Sequence, residues 1–260
     1  MFASLVCAPC EDGACLPLSH SPLLGLPAHL YQGRPLPFLP VGTRLCTAGQ
    51  AVFLVQGRVL LRPLHGAHAL ACPLLQALRP VEAGERLELT PQRTGYALAW
   101  ITLSDKGYAG TREDESGPLI AATVRETLAL CHEQGFLLPD EEVALRALFV
   151  ELALGQAYDL VISTGGTGLA PRDRSPEAAL SVIEQRLPGF EQAMMMASLQ
   201  KTPTAALSRA VAGTLGRSIL VCLPGSKKAV AENLAAVLPA LAHALDKLQG
   251  DQSDCAVLFA

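Results

Sequence analysis

The pattern of apolar and polar positions changes once along this 260-residue chain. Up to about residue 94 the apolar stretches are short, as at 50–56 and 58–62, and turn residues separate them, which predicts β-strands. From residue 96 onward, compact apolar runs alternate with longer amphipathic stretches, which predicts an α/β fold with a mainly parallel sheet between two layers of helices. We therefore predict a small β-rich N-terminal domain over 1–94, a three-layer α/β/α domain over 95–250 and a C-terminal tail over 251–260.

The elements expected in the second region follow from the length and spacing of its apolar runs. Strands are predicted at 96–104, 136–138, 158–162 and 218–223, and helices at 119–133, 141–154, 176–186, 189–200 and 227–249. Four turns at the ends of the strands carry small or polar residues: Ser104 with Asp105, Asp140, 164–173 and 224–226. Ligands of open α/β sheets bind outside the carboxyl ends of the strands. We therefore expect the four turns to meet at one rim of the sheet and to form a single site.

The segment 163–176, Ser-Thr-Gly-Gly-Thr-Gly-Leu-Ala-Pro-Arg-Asp-Arg-Ser-Pro, carries the strongest chemical signal. It lies between a predicted strand and a predicted helix, whose N-cap we expect at Ser175. Glycines in such a turn let backbone N–H groups close on an anion, and Asp173 offers a carboxylate for a divalent cation. The anion-binding residues expected here are Thr164, Gly165, Gly166, Thr167, Gly168 and Arg172. The spacing is neither that of a Walker A loop nor that of the dinucleotide fingerprint. A tight structural turn is the alternative, but such a turn requires neither Arg172 nor Asp173.

Composition and charge narrow the class of protein. Half of the residues are hydrophobic and 17% are charged, which predicts a substantial core rather than disorder. The net charge is −4 and there is no basic tract, which argues against a nucleic-acid partner. The apolar runs are too short for a membrane span and the N-terminus lacks the features of a signal peptide. We therefore predict a cytoplasmic protein without a membrane partner.

The eight cysteines are expected to be free thiols in a cytoplasmic protein. Cys7, Cys10 and Cys15 form a Cys-x2-Cys-x4-Cys cluster with His20 nearby. A metal site at this cluster and plain structural thiols both remain open, because no second Cys-x2-Cys pair completes a structural zinc site.

Seven motifs occur in order along the second region. They are Ile101-Thr-Leu-Ser-Asp-Lys-Gly107, Asp114-Glu-Ser-Gly-Pro118, Pro139-Asp140-Glu141, the glycine-rich segment 163–176, Leu187-Pro-Gly-Phe190, Thr204-Ala-Ala-Leu-Ser-Arg209 and Leu223-Pro-Gly-Ser226. In this order they resemble the molybdopterin adenylyltransferases, the Mog/MoaB-like proteins of molybdenum-cofactor synthesis, whose fold also forms the G domain of gephyrin. The resemblance covers about residues 96–249 and does not extend to the first 95 residues.

The resemblance implies a reaction in which ATP and molybdopterin give adenylyl-molybdopterin and pyrophosphate. It implies that Asp140 and Asp173 are catalytic and hold Mg²⁺, with a helix N-cap as the alternative for Asp140. The other phosphate-binding or pterin-binding residues expected beyond the glycine-rich segment are Ser104, Asp105, Ser116, Gly117, Ser208, Pro224, Gly225 and Ser226. A bond within its own turn is the alternative for Asp105, and a helix cap is the alternative for Ser226.

The resemblance also implies a homotrimer and contacts with other proteins of molybdenum-cofactor synthesis. Lys227 and Lys228 depart from the small residue and proline that the family usually has after this glycine. A non-catalytic molybdopterin-binding or cofactor-delivery protein is the alternative, because some members of the fold do not transfer nucleotides. Both carboxylate positions are filled in this chain, which favours the enzyme.

Three short segments of the first region are Pro40-Val-Gly-Thr-Arg44, Cys72-Pro73 and Gly84-Glu-Arg-Leu-Glu-Leu89. They faintly resemble the closing half of a MOSC domain, a β-rich module linked to molybdenum cofactor and sulfur handling. In that pattern a cysteine can carry sulfur, and Cys72 is the candidate here, with a structural thiol as the alternative. Residues 90–95 are expected to be the linker between the two regions.

Overall fold

The chain divides into two compact units between Gly95 and Tyr96. This computed structural model describes residues 3–32 and 37–251. Of the tail expected over 251–260, only Asp251 is among them, and the rest lies outside the described residues. None of the helices in these two ranges has the length and apolar character that crossing a membrane requires.

The first unit is a closed barrel of seven strands within its described residues. They are β1 (Ala3–Val6), β2 (Cys15–Ser19), β3 (His29–Gln32), β4 (Arg44–Thr47), β5 (Gln50–Leu61), β6 (Leu70–Ala77) and β7 (Arg86–Gln92). Their order around the barrel is β1, β3, β2, β6, β5, β4, β7. Buried side chains such as Leu45, Phe53 and Leu75 form its core. The strands expected at 50–56 and 58–62 are the single strand β5, which passes through Gly57 with an irregular register against β6.

The second unit alternates strands and helices. Its elements are β8 (Tyr96–Leu103), α1 (Asp105–Tyr108), α2 (Ser116–Thr127), β9 (Leu130–Leu138), α3 (Glu142–Val150), β10 (Leu160–Thr164), α4 (Ser175–Leu180), β11 (Gln185–Arg186), α5 (Pro188–Leu199), β12 (Val211–Leu215), β13 (Ser218–Leu223) and α6 (Lys227–Gln249). A π-helical turn (Glu151–Gly155) extends α3, and a 3-10 helix (Pro203–Leu207) precedes β12.

One sheet joins the six strands of this unit in the order β11, β12, β13, β10, β8, β9. Strands β13, β10, β8 and β9 run parallel, whereas β12 is antiparallel to β13, and the edge strand β11 is antiparallel to β12. Thr164, the last residue of β10, pairs with Thr102 of β8 and with Leu223 of β13. The turns that follow these three strands therefore begin side by side.

Helices contact both faces of this sheet. On one face, Leu160 and Ile162 of β10 belong to an apolar cluster with residues of α2, α5 and α6. Side chains alternate along a strand, so Val161 faces the opposite side. There α3 packs on α4, α4 contacts β13, and the π-helical turn contacts β10. Phe149 of α3 is fully buried in this second layer.

Several predictions of element boundaries are wrong. The helix expected over 119–133 ends at Thr127, and Leu130–Leu138 is the strand β9. As an edge strand with partly exposed residues, β9 lacks the continuous apolar run of a buried parallel strand. The helix expected over 176–186 ends at Leu180.

The sequence does not predict β12, because Gly213 interrupts its short apolar run. The structure gives the reason for this glycine. A Cβ at Gly213 would lie 2.4 Å from Cγ2 of Ile183, so only glycine allows the close approach.

Replacing Phe149 with alanine tests the core beneath α3. Because Phe149 is fully buried, Phe149→Ala should lower the free energy of unfolding by about 3–5 kcal/mol. Val143 of the same helix is 66% exposed, so Val143→Ala should change it by less than about 0.5 kcal/mol. Urea denaturation followed by circular dichroism at the helix band measures both, because all six described α-helices belong to the second unit. Equal effects of the two substitutions would contradict this packing.

Candidate functional site

The carboxyl ends of β8, β10 and β13 open into a cleft of about 550 Å³. The four turns meet here, as the sequence predicts. The predicted site residues that line the cleft are Ser104, Asp105, Ser116, Asp140, Thr164, Gly166, Asp173, Gly225 and Ser226. Both candidate catalytic carboxylates therefore face one space.

Asp105 and Asp140 hold the ends of β8 and β9 together by a reciprocal pair of hydrogen bonds. The backbone N–H of Asp140 donates to Oδ1 of Asp105 at 3.1 Å, and the N–H of Asp105 donates to Oδ2 of Asp140 at 3.3 Å. The alternative role of Asp140 as a helix N-cap is not seen, because the N-cap position of α3 is Glu141.

Arg172, which the sequence predicts as an anion ligand, instead binds Asp105 and Asp140 and is not among the residues that line the cleft. Its guanidinium forms an ion pair with the Asp105 carboxylate and donates to the backbone oxygen of Asp140 at 3.2 Å. The hydrogen bond from Asp140 N–H and the neighbouring Arg172 hold the pKa of Asp105 below its usual range. Asp105 therefore stays ionised at neutral pH.

The glycine-rich turn presents three consecutive backbone donors. Within the described part of the chain, the N–H groups of Gly166, Thr167 and Gly168 donate to no other group of the protein. Gly165 differs from the prediction, because its N–H donates to the backbone oxygen of Leu223 at 3.1 Å. Gly166 has φ +64, and a Cβ there would lie 2.5 Å from Oγ of Ser175. Consecutive unbonded N–H groups can bind phosphate oxygens, and of these three residues Gly166 lines the cleft.

The sequence predicts Ser175 as the N-cap of α4, but in the structure Ser175 instead stabilises the turn. It is the first residue of α4, and the N-cap position is Arg174. The Ser175 hydroxyl donates to the backbone oxygen of Gly165 at 2.7 Å, and its N–H donates to that of Gly166 at 3.1 Å. Both carbonyls are thereby held away from the side on which a ligand would bind.

Asp173 lies against the same turn. Its Oδ2 accepts the N–H of Ala170 at 2.9 Å, and a Cβ on Gly168 would be 2.7 Å from this oxygen. Glycine at 168 thus makes room for the carboxylate, while its own N–H group stays unbonded within the described ranges.

Asp114 is a structural residue of the site that the sequence prediction missed. Its Oδ1 accepts the N–H groups of Ser116 and Gly117 at the start of α2, and its Oδ2 accepts the Thr102 hydroxyl. A Cβ on Gly117 would lie 2.4 Å from Asp114 Oδ2 and 2.6 Å from Nε1 of Trp100, so Gly117 serves packing. The Asp-x-Ser-Gly spacing is the signal, since an aspartate commonly bonds backbone N–H groups two residues on.

Other predicted polar ligands bond within the protein. The Ser104 hydroxyl accepts Gly107 N–H as the N-cap of α1, and the Ser226 hydroxyl accepts Ala229 N–H as the N-cap of α6. The hydroxyl of Thr164 donates to the backbone oxygen of Pro224 at 2.8 Å. The hydroxyl of Ser116 donates to the backbone oxygen of Gly225 at 3.2 Å, which joins α2 to the turn before α6.

Pro224 and Ser208 complete the predicted set, and Pro224 is not among the residues that line the cleft. Ser208 is not among the residues lining the cleft, and its buried hydroxyl has no hydrogen-bond partner in the described ranges. Lys227 lines the cleft, whereas Lys228 is exposed and lies 4.0 Å from the Glu232 carboxylate.

The electrostatic balance of the cleft is negative. Six acidic side chains line it, namely Asp105, Glu113, Asp114, Glu115, Asp140 and Asp173. Three basic side chains do so, namely Lys106, Arg112 and Lys227. A polyanionic ligand therefore requires added cations to bind here.

The cysteines of the first unit lie apart from this chemistry. Cys7, Cys10, Cys15, Cys46, Cys72 and Cys222 carry free thiols, as expected. Across residues 3–32 and 37–251, no group of three or more His, Cys, Asp or Glu side chains is arranged to hold a metal ion. Cys72 is buried beside a cavity of about 210 Å³, and burial raises the pKa of its thiol. The sulfur-carrier role of Cys72 stays a prediction.

Comparison with known proteins assigns the second unit to a protein family. Residues 99–243 match the family model described as a probable molybdopterin binding domain. The molybdopterin adenylyltransferase of Helicobacter pylori (strain J99) is 38% identical over 152 residues, which are 58% of this chain and 86% of that protein. The molybdenum cofactor biosynthesis bifunctional protein of Chlorobaculum tepidum is 38% identical over 59% of this chain, but the match spans only 48% of that relative. The crystal structure of the molybdopterin biosynthesis enzyme MoaB from Thermus thermophilus is 39% identical, with a TM-score of 0.55, and the match covers 60% of this chain and 98% of that one.

Replacing Gly166 with alanine tests the geometry of the glycine-rich turn. The positive φ and the contact with buried Ser175 should together lower the free energy of unfolding by about 2 kcal/mol or more. Gly189, in the first turn of α5, has no atom within 4 Å of an added Cβ. Gly189→Ala should therefore be neutral or stabilise by up to about 1 kcal/mol. Urea denaturation compares them, and an unchanged midpoint for Gly166→Ala would show that the turn differs from this description.

Proposed function

This chain belongs to the molybdopterin-binding domain family, and on that premise we propose that it is a molybdopterin adenylyltransferase. A phosphate oxygen of molybdopterin attacks the α-phosphorus of ATP, so that a phosphoanhydride bond forms. The bond between the α-phosphorus and the bridging oxygen breaks, and pyrophosphate leaves with that oxygen. The attacking oxygen is ionised at neutral pH, so no general base is needed. The reaction depends on aligning two polyanions and offsetting their repulsion.

One observation carries the proposal: a turn with unbonded backbone donors reaches, at Gly166, the cleft that two carboxylates line. The N–H groups of Gly166, Thr167 and Gly168 point to no acceptor in the described residues, and Gly166 lines the cleft together with Asp140 and Asp173. Preorganised N–H groups stabilise the charge that develops on phosphoryl oxygens without reorganising during the reaction. A structural turn alone would account for neither the free donors nor the paired carboxylates.

The residues of the cleft fit a magnesium ion as a partner of the substrate. Mg²⁺ prefers oxygen ligands, keeps several waters and is commonly held by one or two carboxylates together with substrate phosphates. Asp140 and Asp173 supply two such carboxylates, and the excess of acidic side chains disfavours a bare polyphosphate. When bound, the ion would neutralise charge on the phosphates of ATP.

Several accompanying features belong to the same proposal. We propose that the protein acts in the cytoplasm as a homotrimer and meets other proteins of molybdenum-cofactor synthesis. The sulfur or cofactor-delivery role suggested for the first unit rests on the faint MOSC resemblance of its sequence. Molybdopterin binding without nucleotidyl transfer is the alternative for the second unit.

A direct assay separates the enzyme from the binding protein. The purified full chain is incubated with Mg²⁺, ATP and molybdopterin, and pyrophosphate and adenylyl-molybdopterin are measured. Both products should appear, and omission of molybdopterin should abolish them. Binding of molybdopterin without pyrophosphate release would establish the alternative.

Removing the charge of either candidate catalytic carboxylate should slow transfer while leaving the fold intact. Asp140→Asn and Asp173→Asn keep an amide oxygen that can accept the N–H groups of Asp105 and Ala170. Each should lower kcat by about 10²-fold or more, because the transition state is stabilised electrostatically. Glu126 is exposed on α2, so Glu126→Gln removes the same charge and should leave kcat unchanged. Near-normal turnover of a folded aspartate variant would remove that residue from the mechanism.

The proposed activity should reside in the second unit alone. The Helicobacter relative, of which 86% is matched, aligns over 152 residues of this chain. A fragment that starts at Tyr96 should therefore fold and release pyrophosphate at a rate close to that of the full chain. An insoluble fragment, or a soluble one without activity, would show that residues 1–95 are needed.

A further inference from the structure

Arg209 contacts the glycine-rich turn from outside the cleft. We propose that Arg209 is a positioning residue, which holds residues 167–173 in the shape that keeps the N–H groups of Thr167 and Gly168 free of acceptors among the described residues and places Asp173 at the cleft. Its effect on catalysis rests on the proposed function. Its effect on the shape of the turn does not.

The guanidinium of Arg209 joins both ends of this segment. Its Nε donates to the backbone oxygen of Gly168 at 3.0 Å, and one terminal nitrogen donates to the backbone oxygen of Asp173. The backbone N–H of Arg209 also donates to the oxygen of Thr167 at 3.0 Å. One residue therefore donates to three carbonyl groups that would otherwise need water or other donors.

The planarity of the peptide bond converts these contacts into the direction of the free donors. In a trans peptide the C=O of one residue and the N–H of the next point to opposite sides. Because Thr167 C=O is held towards Arg209, the N–H of Gly168 points away from it. The Ser175 bonds to Gly165 C=O and Gly166 C=O act in the same way on the N–H groups of Gly166 and Thr167.

Glu177 holds the guanidinium of Arg209 in place. The second terminal nitrogen of Arg209 forms an ion pair with Oε1 of Glu177 in the first turn of α4, and Arg174 lies 3.4 Å from the same oxygen. Burial of Glu177 acts to raise its pKa, but the hydrogen bond from Arg209 and the two positive charges hold the pKa below its ordinary value. The Arg209 side chain is 34% exposed, so water screens the pair only in part.

The geometry requires arginine and not a positive charge alone. A planar guanidinium has donors in several directions and can reach Gly168, Asp173 and Glu177 at once. A lysine ammonium can remain beside Glu177 but cannot join both ends of the turn. Arg209→Lys therefore separates charge from bracing.

Amide hydrogen exchange tests the bracing without any ligand. In Arg209→Ala, the hydrogen-bonded amides of Ala170, Asp173 and Ser175 should exchange about tenfold faster or more, while those of β10 stay unchanged. Arg209→Lys should increase the exchange rates of these three amides by an intermediate factor. This variant replaces Arg209→Ala in the test if the alanine variant does not fold. Arg125 makes a comparable pair with Glu133 away from the turn, so Arg125→Ala should leave the three amides unchanged. Unaltered exchange in folded Arg209 variants would overturn the proposal.

Kinetics tests the consequence for transfer. Arg209→Ala should lower kcat by about 10²-fold while KM for ATP changes by less than about fivefold, because alignment rather than binding is lost. Added guanidinium ion should restore part of this activity, and it should not rescue Asp173→Asn. Faster exchange with normal kcat would limit Arg209 to a structural role and would refute the positioning role. If the wild-type chain releases no pyrophosphate, the proposed function fails, and the exchange result alone decides whether Arg209 holds the turn.

Discussion

The register of the parallel strands is the constraint on which the α/β unit depends. Strand β10 pairs with β8 and with β13 along its length, so Thr102, Thr164 and Leu223 lie at one level. A slip of one residue would turn the side chains of a strand towards the opposite layer of helices. The packing of apolar residues on both faces of the sheet opposes such a slip. The apolar residues of the core therefore decide where the turns after these strands meet, and the polar residues decide what the turns can bind.

The cleft is shaped mainly by the backbone. Several polar side chains at its rim, among them Ser116, Thr164 and Asp114, bond to peptide groups instead of projecting towards a ligand. Such an arrangement suits the transfer of an adenylyl group, in which the reacting groups belong to the substrates and the protein contributes alignment and fixed dipoles. It also explains why the proposed mechanism assigns the carboxylates of the cleft no part as nucleophile or base.

The sequence predicts the class of fold and the place of the site better than the contacts within the site. Alternating strand and helix patterns place Asp105, Asp140 and Asp173 at strand ends, and the structure brings them together. Hydrogen-bond partners are a different matter, because they depend on distances between segments far apart in the chain. Arg172 is 67 residues from Asp105, and no local pattern predicts that it pairs with this carboxylate rather than with a phosphate.

The sequence predicts some boundaries of strands and helices wrongly for a related reason. Leu130–Leu138 forms a strand because Trp100 and its neighbours on β8 offer it an edge, which the local sequence does not record. Ser208 looks like a ligand within its motif, yet its hydroxyl is buried away from the cleft. Asp114 and Arg209 do carry local signals, an Asp-x-Ser-Gly turn and a lone arginine after a short apolar helix. Their structural roles become visible only with the carbonyl and N–H groups that they contact.

The position of Trp100 has a practical consequence. It is the only tryptophan of the chain, and its indole lies against Gly135 of β9 and against Gly117 in the first turn of α2. Its Nε1 would be 2.6 Å from a Cβ on Gly117, and α2 begins at the rim of the cleft. Trp100 is therefore the single fluorophore excited by light that tyrosine does not absorb. This fluorophore belongs to the second unit and adjoins the site. The emission of the unmodified protein reports on the start of α2 without an introduced label.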